Sequence, residues 1–201
     1  MAIPQKKPFV SVDDYLILER AAEDKSEYYN GEMFMMAGAS LAHSIIATNV
    51  IRELGNALKG QLCSPYDSNL RIEIPHTGLY TYPDALVICG PVEFSPKGDD
   101  MATNPTLIVE VLSDSTEAYN RGKKFEHYRT IPSFREYVLF SQKEPLVEVF
   151  FRRDDGIWQL APVSGLDASV QLQSLGITLR LAEVYERVEF PEAPPLNPTG
   201  G

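Results

Sequence analysis

The run Leu107-Ile108-Val109-Glu110-Val111-Leu112-Ser113 decides how the rest of the chain is read. An unbroken apolar series of this length suits a strand in the middle of a sheet, covered on both faces. Glu110 interrupts it near its far end, and a carboxylate in such a place is costly unless something pairs with it. A second run, Tyr82-Pro83-Asp84-Ala85-Leu86-Val87-Ile88, has the same character, with Asp84 at the start of another continuous apolar strand. Two acids on adjacent strands, together with a backbone carbonyl such as that of Val111, supply the oxygen ligands that magnesium requires. Each acid also has an ordinary reading. Asp is common at turns, and Glu110 at a strand end is as well explained by an arginine partner.

After Glu110 the sequence turns helical. Ser115 or Thr116 is suited to cap a helix that runs to about Ile131 and is stopped by Pro132. This helix carries Arg121, Lys123 and Lys124, and Lys124 shares a face with Tyr128 four residues later. A lysine aimed at the sheet end would hold a scissile phosphate or assist an attacking water, and the helix start near Thr116 would add a site for phosphate oxygens. On its own, a helix lysine is by default a solvated one.

Working outward, Ser11 with Asp14 marks the start of a helix that ends near Asp24. Asn30-Gly31 between β-prone runs predicts a hairpin over residues 27–36, and the methionines at 33, 35 and 36 are expected to fill core gaps. Ser40 caps a long helix to about Lys59, with Gly60 at its stop. Residues 70–74 alternate as a half-buried strand, residues 75–82 read as turn and approach, and residues 91–105 read as a polar loop. Strands are expected over residues 135–140, 146–152 and 157–161, with Asp154-Asp155-Gly156 as a turn, and a short helix over 181–187. Helix, hairpin, helix, strands, helix and strands in that order describe an α/β (α+β) architecture, a mixed central sheet flanked by helices. Residues 1–10 read as a flexible leader, 11–190 as a single domain, and 191–201 as a disordered Pro-rich tail.

The 28 acidic and 18 basic residues give a net charge of -10, which counts against broad, non-specific nucleic-acid binding. A local basic cleft stays compatible with it, because exposed charges act over only about 10 Å at moderate salt. Cys63 and Cys89 have no metal-site spacing and read as two buried free thiols in a reducing compartment. There is no apolar stretch of signal length at the start and no membrane span, so the expected location is cytoplasmic.

At these residues the sequence resembles the Uma-two type family of restriction-endonuclease-like proteins, which have a PD-(D/E)XK nuclease fold. The resemblance covers roughly residues 10–190. It is carried by Ser26-Glu27-Tyr28-Tyr29-Asn30-Gly31-Glu32, Ser40-Leu41-Ala42-His43, Tyr82-Pro83-Asp84 and Val109-Glu110-Val111-Leu112-Ser113, then by residues 119–128 and Arg135-Glu136-Tyr137. It implies that Asp84 is the Asp of the PD motif, Glu110 the acid of the (D/E)XK motif, Glu27 the acid from the N-terminal region, and His43 the histidine of the second helix. The general pattern puts a lysine two residues after Glu110, where this chain has Leu112; the family's lysine falls on the next helix, here Lys124. Asn30 and Asn120 stand where Asp is usual. The implied activity is Mg²⁺- (or Mn²⁺-) dependent hydrolysis of DNA phosphodiester bonds, by a homodimer. The rivals are a catalytically weak or inactive nucleic-acid-binding or assembly module on the same fold, favoured by the acidity and by Leu112, and a hydrolase of small phosphorylated or other substrates. Glu27 as a hairpin-flanking residue and His43 as an ordinary half-buried histidine are the corresponding plain readings; Ser113, Ser115 and Thr116 read as caps rather than nucleophiles.

Overall fold

The run around Glu110 forms a fully buried strand, Leu107–Leu112, in the computed structural model, which describes residues 8–191. In chain order the elements are α1 (Val12–Ala21), β1 (Ser26–Tyr29), β2 (Glu32–Met35), α2 (Leu41–Ala57), β3 (Cys63–Asp67), β4 (Arg71–Ile74), β5 (Leu79–Thr81), β6 (Ala85–Cys89), β7 (Phe94–Ser95), β8 (Gly98–Ala102) and β9 (Leu107–Leu112). There follow α3 (Glu117–Tyr119), a π-helical turn (Asn120–Lys124), α4 (Phe125–Tyr128), β10 (Glu136–Ser141), β11 (Leu146–Arg152), β12 (Trp158–Ser164), β13 (Ser169–Leu172), β14 (Ile177–Arg180) and α5 (Leu181–Val184). The architecture is mixed α+β.

The central sheet has the order β12-β11-β10-β9-β6-β3. Only β9 and β10 run parallel in it, with Val109 opposite Val138. A parallel pair needs a crossover connection, and the helical segment from α3 through α4 provides it. Side chains on β9 alternate between the two faces of the sheet. Leu107, Val109 and Val111 pack with Ile46, Val50 and Leu54 of α2 and with the β13–β14 hairpin. Ile108 and Leu112 pack on the other face with Phe125, Tyr128 and the second sheet, ordered β2-β1-β5-β4-β8-β7. By this alternation Glu110 falls on the face that the crossover helix covers.

The β1–β2 hairpin follows its sequence signal. Asn30 and Gly31 both adopt positive φ, 49° and 86°, as a two-residue turn matched to strand twist requires. The Ser11 and Ser40 caps are also found, each side chain accepting from the N–H three residues on. Val10, in the expected leader, donates its N–H to the Gly31 carbonyl. The rest of that leader up to residue 7, and the expected tail from residue 192, lie outside the described residues.

Several expectations are corrected. Helix α1 stops at Ala21, short of Asp24. Residues 79–81, read as approach, are strand β5, completely buried between β1 and β4. The polar loop over 91–105 contains the β7–β8 hairpin, since Met101 and Ala102 are buried and Asp100 is held by Arg20 and the buried Arg71. Met35 is 76% exposed rather than in the core. Cys63 and Cys89 are not free thiols. They face each other across β3 and β6 and form a disulfide.

The β13–β14 hairpin, which no sequence signal marked, is fastened by one acid. Glu136 at the start of β10 is fully buried, and its carboxylate accepts the Gln173 N–H (2.9 Å), the Ser174 N–H (3.1 Å) and the Ser174 hydroxyl (2.6 Å). Glu136→Ala strands these donors and is expected to cost roughly 2–4 kcal/mol. The shift of the urea midpoint measures it, and a loss below about 0.5 kcal/mol would show that the clamp is idle.

Candidate active site

Glu110 projects from β9 toward α4 and is 3% exposed. Its Oε1 accepts the Tyr128 hydroxyl at 2.8 Å and lies 2.8 Å from the Lys124 ammonium. Lys124 is itself 5% exposed, and its ammonium is 3.0 Å from Oε1 of Glu27. Glu27 arrives from β1, where alternation turns Tyr28 into the core and Glu27 toward the cleft. It also accepts the hydroxyl of the buried Thr81 on β5. Lys124 ends the π-helical turn, and Tyr137 reinforces that turn by donating its hydroxyl to the Asn120 carbonyl at 3.1 Å. Single π-helical turns of this kind are rare and occur mostly within α-helices, frequently at functional sites.

Asp84 precedes β6. Its Oδ2 accepts the Val111 N–H at 2.7 Å and lies 3.1 Å from Nε2 of His43. The N–H and C=O of one strand residue face the same neighbour, so the Val111 carbonyl is directed to the Asp84 side as well. His43 stands in the first turn of α2. Ser40, at the start of that helix, hydrogen-bonds Gln142, whose amide donates to the Leu112 carbonyl at 2.8 Å. This tether fixes the helix start against the end of β9 and holds His43 opposite Asp84.

The electrostatics follow from burial. Desolvation pushes the Glu110 carboxyl up to about 7 against the pull of Lys124, and the Asp84 and Glu27 charges add to the rise. Burial opposes charge on Lys124, yet Glu110 and Glu27 together outweigh it and hold the ammonium well above the ordinary lysine value. Burial likewise opposes charge on His43, and the Asp84 hydrogen bond and charge outweigh it, so His43 is raised above its ordinary value.

The structure therefore brings Glu27, Asp84, Glu110, Lys124 and His43 to one place, the wall of a cleft of about 1950 Å³. Of the other expected parts, Arg121 is not on that wall, while Lys123 and Thr116 line it but are already engaged. Arg121 pairs with Glu117 and Glu148, and Lys123 with Glu126. The helix start near Thr116 offers no phosphate site. Its side chain makes no cap, and the N–H groups of Thr116 and Glu117 are both taken by the Ser113 carbonyl. Thr81 and Gln142 were missed in the sequence, Thr81 because a three-residue strand looks like a turn and Gln142 because nothing local marks it.

Among the described residues, no three His, Cys, Asp or Glu side chains are arranged to grip a metal ion as they stand. Oε1 of both Glu27 and Glu110 is engaged with the lysine. The donor chemistry nonetheless suits a hard cation. Three carboxylates converge on one ammonium and one histidine, and burial, helped by the Asp84 and Glu27 charges, pushes the Glu110 carboxyl up to about 7 in spite of Lys124.

Residues 12–182 match the Uma2 family, described as "Putative restriction endonuclease". Two uncharacterized proteins of Synechocystis sp. (strain ATCC 27184 / PCC 6803 / Kazusa) are similar over nearly the whole chain. Slr1290 is 35% identical over 183 residues, 91% of this chain and 95% of its own length. Sll1609 is 32% identical over 177 residues, 88% of this chain and 100% of its own length. Among solved structures, a "putative nuclease belonging to DUF820" from Anabaena variabilis ATCC 29413 superposes with a TM-score of 0.70 at 18% identity, covering 88% of this chain and 97% of that one.

Removing the ammonium while leaving its buried acids is expected to destabilise the metal-free protein strongly. Lys124→Met should cost about 3–5 kcal/mol by urea denaturation in EDTA. Adding Glu110→Gln to it should recover a substantial part. A Lys124→Met protein as stable as the parent would mean that the buried ion cluster is not formed.

Proposed function

Since the chain belongs to the Uma2 family and has a restriction-endonuclease-like fold, we propose that it is a metal-dependent endonuclease that hydrolyses DNA phosphodiester bonds. The observation that carries this reading is the convergence of Asp84, Glu110, Glu27 and Lys124, from four separate segments, at one end of the central sheet. Asp84 and Glu110, with the Val111 carbonyl, are the residues that would hold Mg²⁺ or Mn²⁺. When bound, such an ion supplies charge neutralisation at phosphorus and a water of lowered pKa.

The chain's own groups divide the remaining work. Lys124, charged throughout the neutral range, donates to a phosphate oxygen or to the attacking water. Glu27 orients that ammonium together with Glu110. Tyr128 holds the Glu110 carboxylate in its rotamer, while His43 and the Val111 N–H do the same for Asp84. Leu112, at the position where the general pattern has lysine, is 5% exposed and packs in the core, so Lys124 alone carries that role.

A second reading, a nucleic-acid-binding or assembly module with weak or lost catalysis, is favoured by the net charge of -10 and by Lys124 being clamped between two acids. The two separate cleanly. With Mn²⁺ or Mg²⁺ the parent should nick supercoiled plasmid, EDTA should stop it, and Asp84→Asn or Glu110→Gln should each lower the rate at least 100-fold while thermal melts show a folded protein. Variants that cut like the parent would refute the site assignment. Calorimetric Mn²⁺ binding that disappears in Asp84→Asn, with no cutting by the parent, would establish the second reading.

A further inference from the structure

The cleft over the acid cluster is not built to track a phosphate backbone. Eight carboxylates line it against four lysines. Each of those lysines already has a partner. Lys123 is 2.6 Å from Glu126, Lys143 is 2.6 Å from Asp114, and Lys124 lies between Glu27 and Glu110. Lys25 donates at 2.8 Å to the Ser68 carbonyl and to the Asn69 side-chain oxygen. Double-stranded DNA carries one phosphate charge per about 1.7 Å of axis, and its affinity normally comes from neutralising those charges. This wall would repel most of them.

What the wall does offer is aromatic surface beside the acids. Tyr29 and Phe34 on the β1–β2 hairpin are 38% and 44% exposed, and Tyr119 is 36% exposed. All three line the cleft. The Tyr29 ring is braced edge-on by His127, with centroids 4.7 Å apart and planes at 68°. Tyr119, on α3, lines the same cleft as Tyr29, Glu27 and Glu110.

We propose that this site takes an unpaired DNA strand, with Tyr29 and Tyr119 as the platforms on which the bases flanking the scissile phosphate stack. The inference rests on the nuclease reading and narrows its substrate class. Stacking on tyrosine needs no positive field and is tolerant of sequence, because every base has a π-face. A duplex keeps those faces covered and brings two rows of phosphates to the carboxylates. A single strand exposes its bases and needs only the few phosphates nearest the reaction centre to enter.

The test measures binding without cutting, with the full-length parent in EDTA. Anisotropy of a fluorescein-labelled oligothymidylate is compared with that of the same strand annealed to oligoadenylate. The single strand should bind at least about tenfold more tightly, and Tyr29→Leu and Tyr119→Leu should each weaken it by about tenfold, the scale of one lost base–aromatic stack. Tyr29→Phe and Tyr119→Phe should bind as the parent does. The log–log salt dependence should be shallower than about −2, corresponding to two or three phosphate contacts on a single strand. Equal or tighter duplex binding, leucine variants that bind normally, a steep salt slope, or no binding of either probe would each overturn the proposal. The nuclease reading is judged separately, by metal-dependent cutting of either plasmid or the unlabelled single strand by the parent, so one can fail while the other holds.

Discussion

A single ammonium group, that of Lys124, joins charged side chains from three parts of the chain. Glu110 belongs to the central sheet, Glu27 to the hairpin of the second sheet, and Lys124 to the crossover helix between β9 and β10. Without the lysine, the two carboxylates would meet in a dry interior with only hydroxyls between them. One of them would then have to take up a proton. The apolar packing around them is consistent with this arrangement. Tyr15, Tyr28 and Tyr80 seat the hairpin, while Phe125, Tyr128 and Tyr137 seat the helix, so the charges meet because two aromatic clusters fix the elements that carry them.

Much of this was legible in the sequence where the signal was local. A six-residue apolar strand interrupted by one acid can hardly be read otherwise, and Asn30-Gly31 admits little besides a tight hairpin turn. Lys124 could be placed on a helix face with Tyr128, but its depth could not be foreseen. Its approach to Glu110 depends on a π-helical turn stabilised from outside by Tyr137, and no rule of helical spacing encodes that contact. The short strands failed for a related reason. In β13 and β14 alternation covers only four residues each, too few to stand out. Strand β3 carries Pro65 and two polar residues, a composition tolerated because it lies at the sheet edge, and without recognising it the pairing of Cys63 with Cys89 was invisible.

The charge cluster makes no sense as a stabilising device. Replacing a buried ionic group by apolar side chains of similar volume is often neutral or favourable, because desolvation takes back most of the Coulombic gain. Here the imbalance is worse than in a simple pair. Glu110 sits with Asp84 and Glu27 around one lysine, and burial raises its proton affinity to the neutral range. A fold selected only for persistence would place leucines at these positions, as it does at the adjoining Leu112. The same cluster becomes sensible if its shortage of positive charge is the useful property. On the metal-dependent reading proposed above, a cation would displace the Glu110 proton and settle beside the Val111 carbonyl once the Glu110 carboxylate lets go of Lys124.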